Sequence, residues 1–390
     1  MAILLSISFI LFLLYSCLII YYTIGWVTIP LFNPNLKEQI FSTHISVIIP
    51  ARNEAQNLPV LLQSLLAQTY PVHLFEVMVV DDHSTDSTSA ILHNYTRFNI
   101  RKISLAEYDG LEKINSYKKK AIEIAIKESK GTLMVTTDAD CYLPQNWLAT
   151  IAAFYEKEQP VFIAAPVVIN NAVSFIEIFQ ALDFMTLQGI TGAAVYKKMS
   201  SMCNGANMAY EKNVFYEVDG FKNIDSIASG DDMLLMHKIY KRYPNKVLYL
   251  KSANAMADTQ PVKSIAQFFN QRIRWASKAD KYDDKRILPI LILVYVFNLL
   301  LFIIPVASIF YPSHFNVFSV TFSSFQYWLL LLGLKTLVEL IFLIPVAIFF
   351  KKIWLLILFP LMQPFHIIYC IIAGWLGKFG SYQWKGRKLN

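Results

Sequence analysis

Four long apolar segments, three of them close together near the C-terminal end, constrain what this chain can fold into. They lie near Ala2–Tyr22, Leu288–Phe310, Tyr327–Phe350 and Ile353–Leu376. A helix needs about 20 predominantly apolar residues to cross a hydrocarbon core of ~30 Å. Each segment has that length, so the sequence predicts membrane helices at both ends. The first lacks a basic start and a small-residue cleavage site, and we expect it to be an anchor instead of a removed signal peptide.

The composition places a soluble domain between these segments. Hydrophobic residues make up 55% of the chain and charged residues 16%, which excludes a disordered protein. Nearly all acidic residues lie between Glu38 and Asp284. The four cysteines are scattered and contain no CxxC pair, which argues against a disulfide framework and favours a reduced, cytosolic setting for the central domain.

The positive charge follows the apolar segments. The net charge is +7, and basic residues cluster just before Leu288, as expected for cytoplasmic flanks of membrane helices. We therefore expect no nucleic-acid partner. The loop 311–326 has no Lys or Arg and should face outward, whereas Lys351, Lys352 and the central domain should face the cytoplasm. The N-terminus would then lie outside.

Two features of the C-terminal membrane region leave alternatives open. Pro360 and Pro364 interrupt the last apolar segment and favour a re-entrant hairpin, which would return the basic tail to the cytoplasm; a full third span is the alternative. Lys335 and Glu339 are four residues apart within a span. They form either a self-satisfied pair or a polar contact for a lipid-linked headgroup.

The central part of the chain alternates strand-like and helix-like segments. Leucines at helical spacing in Leu58–Leu66 and the run Lys118–Glu128 predict helices. The alternation predicts an α/β fold with a doubly wound, mostly parallel sheet. The four predicted strands are Ile45–Ile49, Glu76–Val80, Ile100–Ile103 and Thr132–Thr136.

Polar residues stand where three of these strands end, and ligands of such sheets bind beyond those ends. No GxGxxG or GxxxxGK[ST] loop follows a strand, so a dinucleotide fingerprint and a P-loop are excluded. Asp138 and Asp140 flank one residue of an extended segment and are hard oxygen ligands suited to Mg²⁺ or Mn²⁺. Asp82 either accepts hydrogen bonds from a base or ribose, or caps the helix that follows.

Two further patterns carry a functional and a structural interpretation. The Asp231-Asp232 pair precedes a helical run, where carboxylates often only cap; in a nucleotide-sugar site one of them could act as a base. Polar residues at helical spacing then form one face of an amphipathic helix, with Trp275 beside them. That helix either lies on lipid headgroups or also offers Arg274 to a diphosphate and Trp275 to a sugar ring. The polar residues are Gln267, Gln271, Arg274 and Lys278.

Taken together, the motifs resemble the membrane-anchored family 2 glycosyltransferases of the GT-A fold. The resemblance covers about Ser46–Trp275 and a tail segment, Trp384–Arg387. It rests on motifs in the family's order: VIIPARNE (Val47–Glu54), VVDDHSTD (Val79–Asp86), DAD (Asp138–Asp140), NGAN (Asn204–Asn207), GDD (Gly230–Asp232) and QRIRW (Gln271–Trp275).

The resemblance implies an inverting, metal-dependent transfer from a nucleoside-diphosphate sugar, with uridine as the family's usual base. It assigns Asp232 as the catalytic base and Asp138 and Asp140 as metal ligands. Lys118 stands where the family often has Gly-Lys, with Lys119 or Lys120 as alternatives. The other implied donor contacts are Pro50, Arg52, Glu54 and Asp82, and the implied acceptor or diphosphate contacts are Gly205, Asn207, Asp231, Gln271, Arg274 and Trp275.

The membrane segments favour a lipid or lipid-linked saccharide as acceptor. A processive polysaccharide synthase is the alternative, although such enzymes usually have more spans, and a non-catalytic transporter or scaffold is a further one. We expect a multi-pass protein of the cell (inner or plasma) membrane with a cytoplasmic catalytic domain. The expected regions are a membrane anchor (1–24), the GT-A domain (44–262), an amphipathic interfacial helix (263–286), the C-terminal membrane region (288–376) and a basic cytoplasmic tail (377–390).

Overall fold

A computed structural model describes residues 1–95, 99–108, 116–199, 202–225, 227, 229–278, 284–317, 320–379, 382–384 and 387–389. The chain divides into two compact units. The sheet unit comprises Ile29–Ala172 and Ala194–Pro261, and the helical unit comprises Met1–Thr28, Val173–Ala193 and Val262–Asn390. Lys281, Lys385 and Gly386, which belong to the predicted basic flank and tail, lie outside the described residues.

The described helices are α1 (Ala2–Thr28), α2 (Leu58–Leu66), α3 (Thr88–Tyr95), α4 (Tyr117–Glu128), α5 (Trp147–Glu158), α6 (Phe175–Tyr196), α7 (Lys212–Glu217), α8 (Met233–Arg242), α9 (Ile265–Ala276), α10 (Ile287–Phe310), α11 (Ser324–Phe349) and α12 (Leu355–Phe379). The described strands are β1 (Ile45–Ala51), β2 (Phe75–Asp81), β3 (Ile100–Ser104), β4 (Leu133–Thr136), β5 (Phe162–Ala164), β6 (Val167–Ile169), β7 (Met208–Glu211), β8 (Val247–Tyr249), β9 (Ala257–Thr259), β10 (His314–Val317), β11 (Val320–Ser323), β12 (Tyr382–Trp384) and β13 (Arg387–Leu389).

The sheet unit is built on a seven-stranded, mostly parallel sheet in the order β3-β2-β1-β4-β7-β5-β8. β1 pairs in parallel with both β2 and β4, whereas β7 runs antiparallel to β4 and β5. The β-branched runs of β1 and β2 are buried on both faces, as is usual for central parallel strands. The predicted α/β fold with a doubly wound sheet is confirmed.

Four helices of the helical unit are long and apolar enough to cross a membrane, namely α1, α10, α11 and α12. They correspond to the four apolar segments of the sequence. A helix can lie in lipid because all its backbone hydrogen bonds are made within the helix.

Lys335 and Glu339, the charged pair within the third apolar segment, belong to a closed hydrogen-bond network. Nζ of Lys335 donates to Oε1 of Glu339 at 2.6 Å and to Oε1 of Gln363 at 2.7 Å. The amide of Gln363 donates to the other oxygen of Glu339 at 2.5 Å, and Tyr15 also donates to this carboxylate. Because these groups satisfy one another, the geometry favours the self-satisfied pair over a headgroup contact.

The last apolar segment forms one helix, α12, which continues through Pro360 and Pro364. The predicted hairpin would need a break between two arms, and α12 shows none, so whether this segment re-enters or spans stays a prediction. A proline leaves a helix carbonyl without its amide partner, but neighbouring helices can compensate for this in a bundle. Gln363, between the prolines, bonds to α11, so its polarity joins two helices instead of interrupting one.

The C-terminal part of α12 nonetheless lies near the beginning of α10. A Cβ placed on Gly374 would lie 2.7 Å from Cδ2 of Tyr295, in the third turn of α10. One placed on Gly377 would lie 2.5 Å from Cβ of Ala276, the last residue of α9. A helix running straight beside α10 would bring Gly374 near the far end of α10. The C-terminal end of α12 thus lies toward the end where α10 begins.

We therefore expect the last turn of α12, which contains Lys378, and the turn before the helix to be reached from the same side of the membrane. In a variant without the four native cysteines, Lys378→Cys and Lys352→Cys should react with a membrane-impermeant maleimide from one side. His314→Cys, in the loop between α10 and α11, should react from the opposite side. Labelling of Lys378→Cys together with His314→Cys would show that α12 crosses completely.

Candidate active site

The polar residues predicted at the strand ends lie at one edge of the sheet. The register pairs Ala51 of β1 with Asp81 of β2 and Ile48 of β1 with Thr136 of β4. Because the three strands are parallel neighbours, the loops that follow them leave the sheet side by side. The residues after these strands include Arg52, Asp82 and Asp138, so the edge carries both charges and hydrogen-bonding groups.

Arg52 and Asp82 join the first two of these loops. Nη1 of Arg52 donates to the carbonyl of Asp82 at 2.8 Å and lies 3.7 Å from its Oδ1. Nδ1 of His83 lies 2.9 Å from the same oxygen. The side chain of Asp82 is nearly buried. The two loops thus form one connected wall, in which Arg52 is more exposed than Asp82.

Glu54 and Pro50 occupy supporting places in the same wall. The amide of Glu54 donates to Oγ1 of Thr88 at 2.8 Å, and its carboxylate accepts from Nδ2 of Asn57 at 2.8 Å, just before α2. Pro50 lies within β1, opposite Val80 of β2. These contacts fix the backbone of the first motif.

Asp138 and Asp140 flank the buried Ala139 and are both partly exposed. The two residues lie in a turn just after β4 and not in the extended segment that the sequence predicted, because the amide of Cys141 donates to the carbonyl of Asp138 at 3.2 Å. Among the described residues, no group of three or more His, Cys, Asp or Glu side chains could hold a metal ion. Two carboxylates fit Mg²⁺ or Mn²⁺ all the same, because Mg²⁺ is often bound by one or two protein carboxylates with water and substrate phosphates.

Lys118, at the start of α4, connects this motif to the loop before α8. Its Nζ lies 2.9 Å from Oδ1 of Asp138 and 3.1 Å from Oδ2 of Asp231. Burial alone would lower the pKa of Lys118, but the two carboxylates outweigh it and raise this pKa above its ordinary value. Lys118 is thus a fixed positive charge shared by two acidic motifs that are 93 residues apart in sequence.

Asp232 is the N-cap of α8 and also faces the cluster formed by Lys118, Asp138 and Asp231. Its Oδ1 accepts from the amide of Met233 at 2.7 Å, and its Oδ2 accepts from the amide of Gly205 at 3.3 Å. Asp231 is buried, whereas Asp232 stays partly exposed. The capping interpretation is therefore correct. A carboxylate has about four acceptor positions, so these two bonds leave Asp232 able to accept a further hydrogen bond.

Gly205 lets its chain segment approach the cluster closely. A Cβ there would lie 3.3 Å from Oδ2 of Asp231 and 3.5 Å from Nζ of Lys118. The first distance is tighter than ordinary contacts, so a larger residue would displace the acidic side chains. Gly205 and the acidic pair, which the resemblance implies separately, therefore lie side by side.

Asn207 has a different place from the ligand contact that the resemblance implies. Its side chain has no exposed surface. Its Oδ1 accepts from Nε1 of Trp147 at 2.9 Å, and its Nδ2 donates to the carbonyls of Pro166 and Ala255, both at 2.7 Å. An amide whose bonds are all made inside the fold cannot reach a substrate, so Asn207 has a structural place just before β7.

The QRIRW motif lies on α9 of the helical unit, with Gln271, Arg274 and Trp275 partly exposed. Its second residue, Arg272, is buried and organises the motif. Nη1 of Arg272 donates to Oε1 of Gln271 at 2.8 Å, and the guanidinium lies 4.3 Å from the ring centroid of Trp275. The part of Gln271, Arg274 and Trp275 in the donor site stays a prediction.

Two residues that the sequence interpretation missed hold Arg272 in place. Nε and Nη2 of Arg272 donate to Oδ2 of Asp183 at 3.0 and 2.6 Å, and the hydroxyl of Tyr369 donates to Oδ1 of Asp183 at 2.7 Å. These contacts join α6, α9 and α12. The available signal was Asp183 itself, a carboxylate in an otherwise apolar stretch of α6, since a buried charge needs a partner.

Comparisons with known proteins point to one family. The model for glycosyl transferase family 2 matches residues 46–219, and the model for glycosyl transferase family group 2 matches residues 133–376, more than half of the chain. The mannosyltransferase PcManGT of Pyrobaculum calidifontis, solved with GDP-Man and Mn²⁺, has the same fold. Its TM-score is 0.56 at 17% identity, with 96% of this chain and 97% of that one covered.

Three curated relatives are similar over parts of the chain. Glycosyltransferase AglE of Haloferax volcanii is 36% identical over 27% of this chain and 33% of its own. The hyaluronan synthase of Streptococcus pyogenes serotype M1 is 24% identical over 68% and 65%, respectively. Beta-monoglucosyldiacylglycerol synthase of Synechocystis is 27% identical over 34% and 27%.

The matches cover less than two thirds of the length of each of these relatives. The family models nevertheless span both the strand-end motifs and the region up to α12. The chain belongs to the glycosyl transferase family group 2.

Proposed function

We propose that the chain is an inverting glycosyltransferase. It would move a sugar from a nucleoside-diphosphate sugar, with a UDP-sugar as the first candidate, to a hydroxyl of a membrane lipid or lipid-linked saccharide. The observation that carries this proposal is the position of Lys118 between Asp138 and Asp231, with Asp232 next in the chain. This arrangement brings carboxylates suited to a cation, a fixed positive charge and a partly exposed carboxylate that would act as the base to one edge of the sheet.

The donor would lie along the strand ends. Pro50, Arg52, Glu54 and Asp82 would frame its base and ribose, with the Arg52–Asp82 wall as the polar surface. Asp138 and Asp140 would hold Mg²⁺ or Mn²⁺, which neutralises charge on a diphosphate when bound. Lys118 would add positive charge where the leaving group becomes more negative.

The chemical step would need a base on the acceptor side. Asp232 is partly exposed and keeps acceptor capacity beyond its cap bonds, so its carboxylate would take the proton of the acceptor hydroxyl as that oxygen attacks the anomeric carbon. Asp231 would hold Lys118 in place through their ion pair. Gly205 leaves room for this cluster, and Gln271, Arg274 and Trp275 would serve the diphosphate and the acceptor sugar.

The acceptor and location follow from the membrane helices. An enzyme with four helices long enough to span a lipid bilayer can meet a lipid headgroup without extracting it. The likeness to beta-monoglucosyldiacylglycerol synthase supports a lipid acceptor. We place the protein in the cell (inner or plasma) membrane with the sheet unit in the cytoplasm, following the basic flanks.

A processive polysaccharide synthase is the second candidate, because the likeness to hyaluronan synthase extends over 68% of this chain. Product analysis separates the two. The purified full chain, given a lipid extract, UDP- or GDP-sugars and Mn²⁺, should yield lipids heavier by one sugar by mass spectrometry. A ladder of masses would favour the synthase, and no product with any donor would contradict both.

A further inference from the structure

A second lysine of α4, Lys119, is buried under the loop that carries the acidic pair. Its side chain is only 2% exposed. Its Nζ donates to the backbone carbonyls of Ile224 at 2.5 Å, Ile227 at 2.7 Å and Ser229 at 3.0 Å. An ammonium has three N–H donors, and three carbonyls receive them here. The bonds explain how a lysine tolerates burial without serving as a surface charge.

The three carbonyls belong to residues within six positions of one another, and all three accept from the one ammonium. Carbonyl dipoles pointing at one centre repel one another unless a cation lies between them. Ser229 is two residues before Asp231 and three before Asp232. The conformation of this turn therefore determines the position of the backbone of Asp231 and Asp232.

The neighbouring Lys118 holds the side chain of Asp231, whereas Lys119 holds the backbone that precedes it. Both lysines lie in the first turn of α4, so they form one rigid support beneath the base. This arrangement also shows why Lys119 does not take the diphosphate role left open by the sequence.

We propose that Lys119 is a positioning residue for the acidic pair. Its ammonium fixes the turn of Ile224, Ile227 and Ser229 and so aims Asp232, which is the part of the proposed function on which this inference rests. It acts through the loop and does not touch the substrate. Losing it should impair turnover much more than donor binding, because the donor residues on β1, β2 and β4 remain.

The test uses Lys119→Met in the full detergent-purified chain, with Lys127→Met, an exposed lysine of the same helix, as the matched control. We expect kcat for transfer to fall at least 10-fold in Lys119→Met, with the Kd for donor and Mn²⁺ within about 2-fold of wild type. Hydrogen exchange of the amides of Asp231–Met233 should become faster. Lys127→Met should match wild type in all three.

Two outcomes would overturn the inference. Unchanged exchange at Asp231–Met233 in Lys119→Met would show that the ammonium does not hold the turn, whatever the activity. Faster exchange with unchanged kcat would show a structural role without positioning. If the methionine variant does not fold, Lys119→Gln, which keeps two N–H donors, should give intermediate exchange and intermediate kcat, and wild-type values of both would overturn the inference. A wild-type protein that transfers no sugar would contradict the proposed function. The exchange comparison would still test whether the ammonium of Lys119 holds the turn.

Discussion

Replacing Asp232 with asparagine should lower kcat for sugar transfer by about 10²–10⁴-fold, roughly 3–5 kcal/mol of transition-state stabilisation. The amide keeps an oxygen that can accept from Met233 and is a good N-cap, so α8 should stay folded. What the variant loses is a carboxylate that can take a proton. The measurement is kcat and KM at saturating acceptor, together with the melting temperature.

The matched control is Asp225→Asn, the same change at an exposed position shortly before the acidic pair, which should keep wild-type kcat. Donor affinity should change little in either variant, because the strand-end residues are intact. Near-normal turnover by Asp232→Asn would remove Asp232 from the base role. A similar loss in Asp225→Asn would indicate a general effect of altered charge in this loop.

Replacing Asp140 with asparagine should reduce metal-dependent transfer at least 100-fold, because a hard divalent cation would lose one of its two protein carboxylates. Asp140 is a cleaner target than Asp138, which also forms the ion pair with Lys118. The measurement is the transfer rate as a function of Mn²⁺ or Mg²⁺ concentration. We expect the rate to need far more metal and to stay low at saturation.

Asp219→Asn is the control for this change, because Asp219 is exposed and has a positive φ of 53° that asparagine tolerates. It should titrate with metal as wild type does. Full activity of Asp140→Asn, or wild-type activity in excess EDTA, would contradict the assignment of the DAD motif to a cation.

The first half of the sheet could be predicted because its periodicity is local. β1, β2, β3 and β4 appear within two residues of their predicted ends, and α2 and α4 likewise. β1, β2 and β4 are each a mostly apolar run in consecutive positions of the sequence, and polar residues follow each run directly. The second half was not predicted, since strands such as β5, with three residues, have no period of their own and are fixed by pairing with β7 and β8.

The chemistry of the site was predicted by residue type, but its geometry was not. Nothing in the spacing distinguishes Asn207, whose amide is fully bonded in the interior, from Gly205, which lies beside the acidic pair. The same holds for Lys118 and Lys119, which are adjacent in sequence but bond to different groups. Burial and the partner of each polar atom depend on the tertiary fold.

The membrane region shows the same limit. Pro360 and Pro364 indicated a break, yet α12 is continuous, and Gln363 between them bonds to Lys335 and Glu339 of another helix. A helix breaker acts against local hydrogen bonds only, whereas neighbours from distant parts of the chain decide whether the helix continues.

The central claim is that the acidic edge of the sheet binds a nucleoside-diphosphate sugar together with a divalent cation. Titration calorimetry on the wild-type full chain, with UDP- and GDP-sugars in Mn²⁺ and then in EDTA, tests it most directly. The account predicts saturable binding of at least one donor in Mn²⁺ and a loss of at least 10-fold in affinity when the metal is chelated. Absence of binding by every donor, or equal affinity with and without metal, would contradict it.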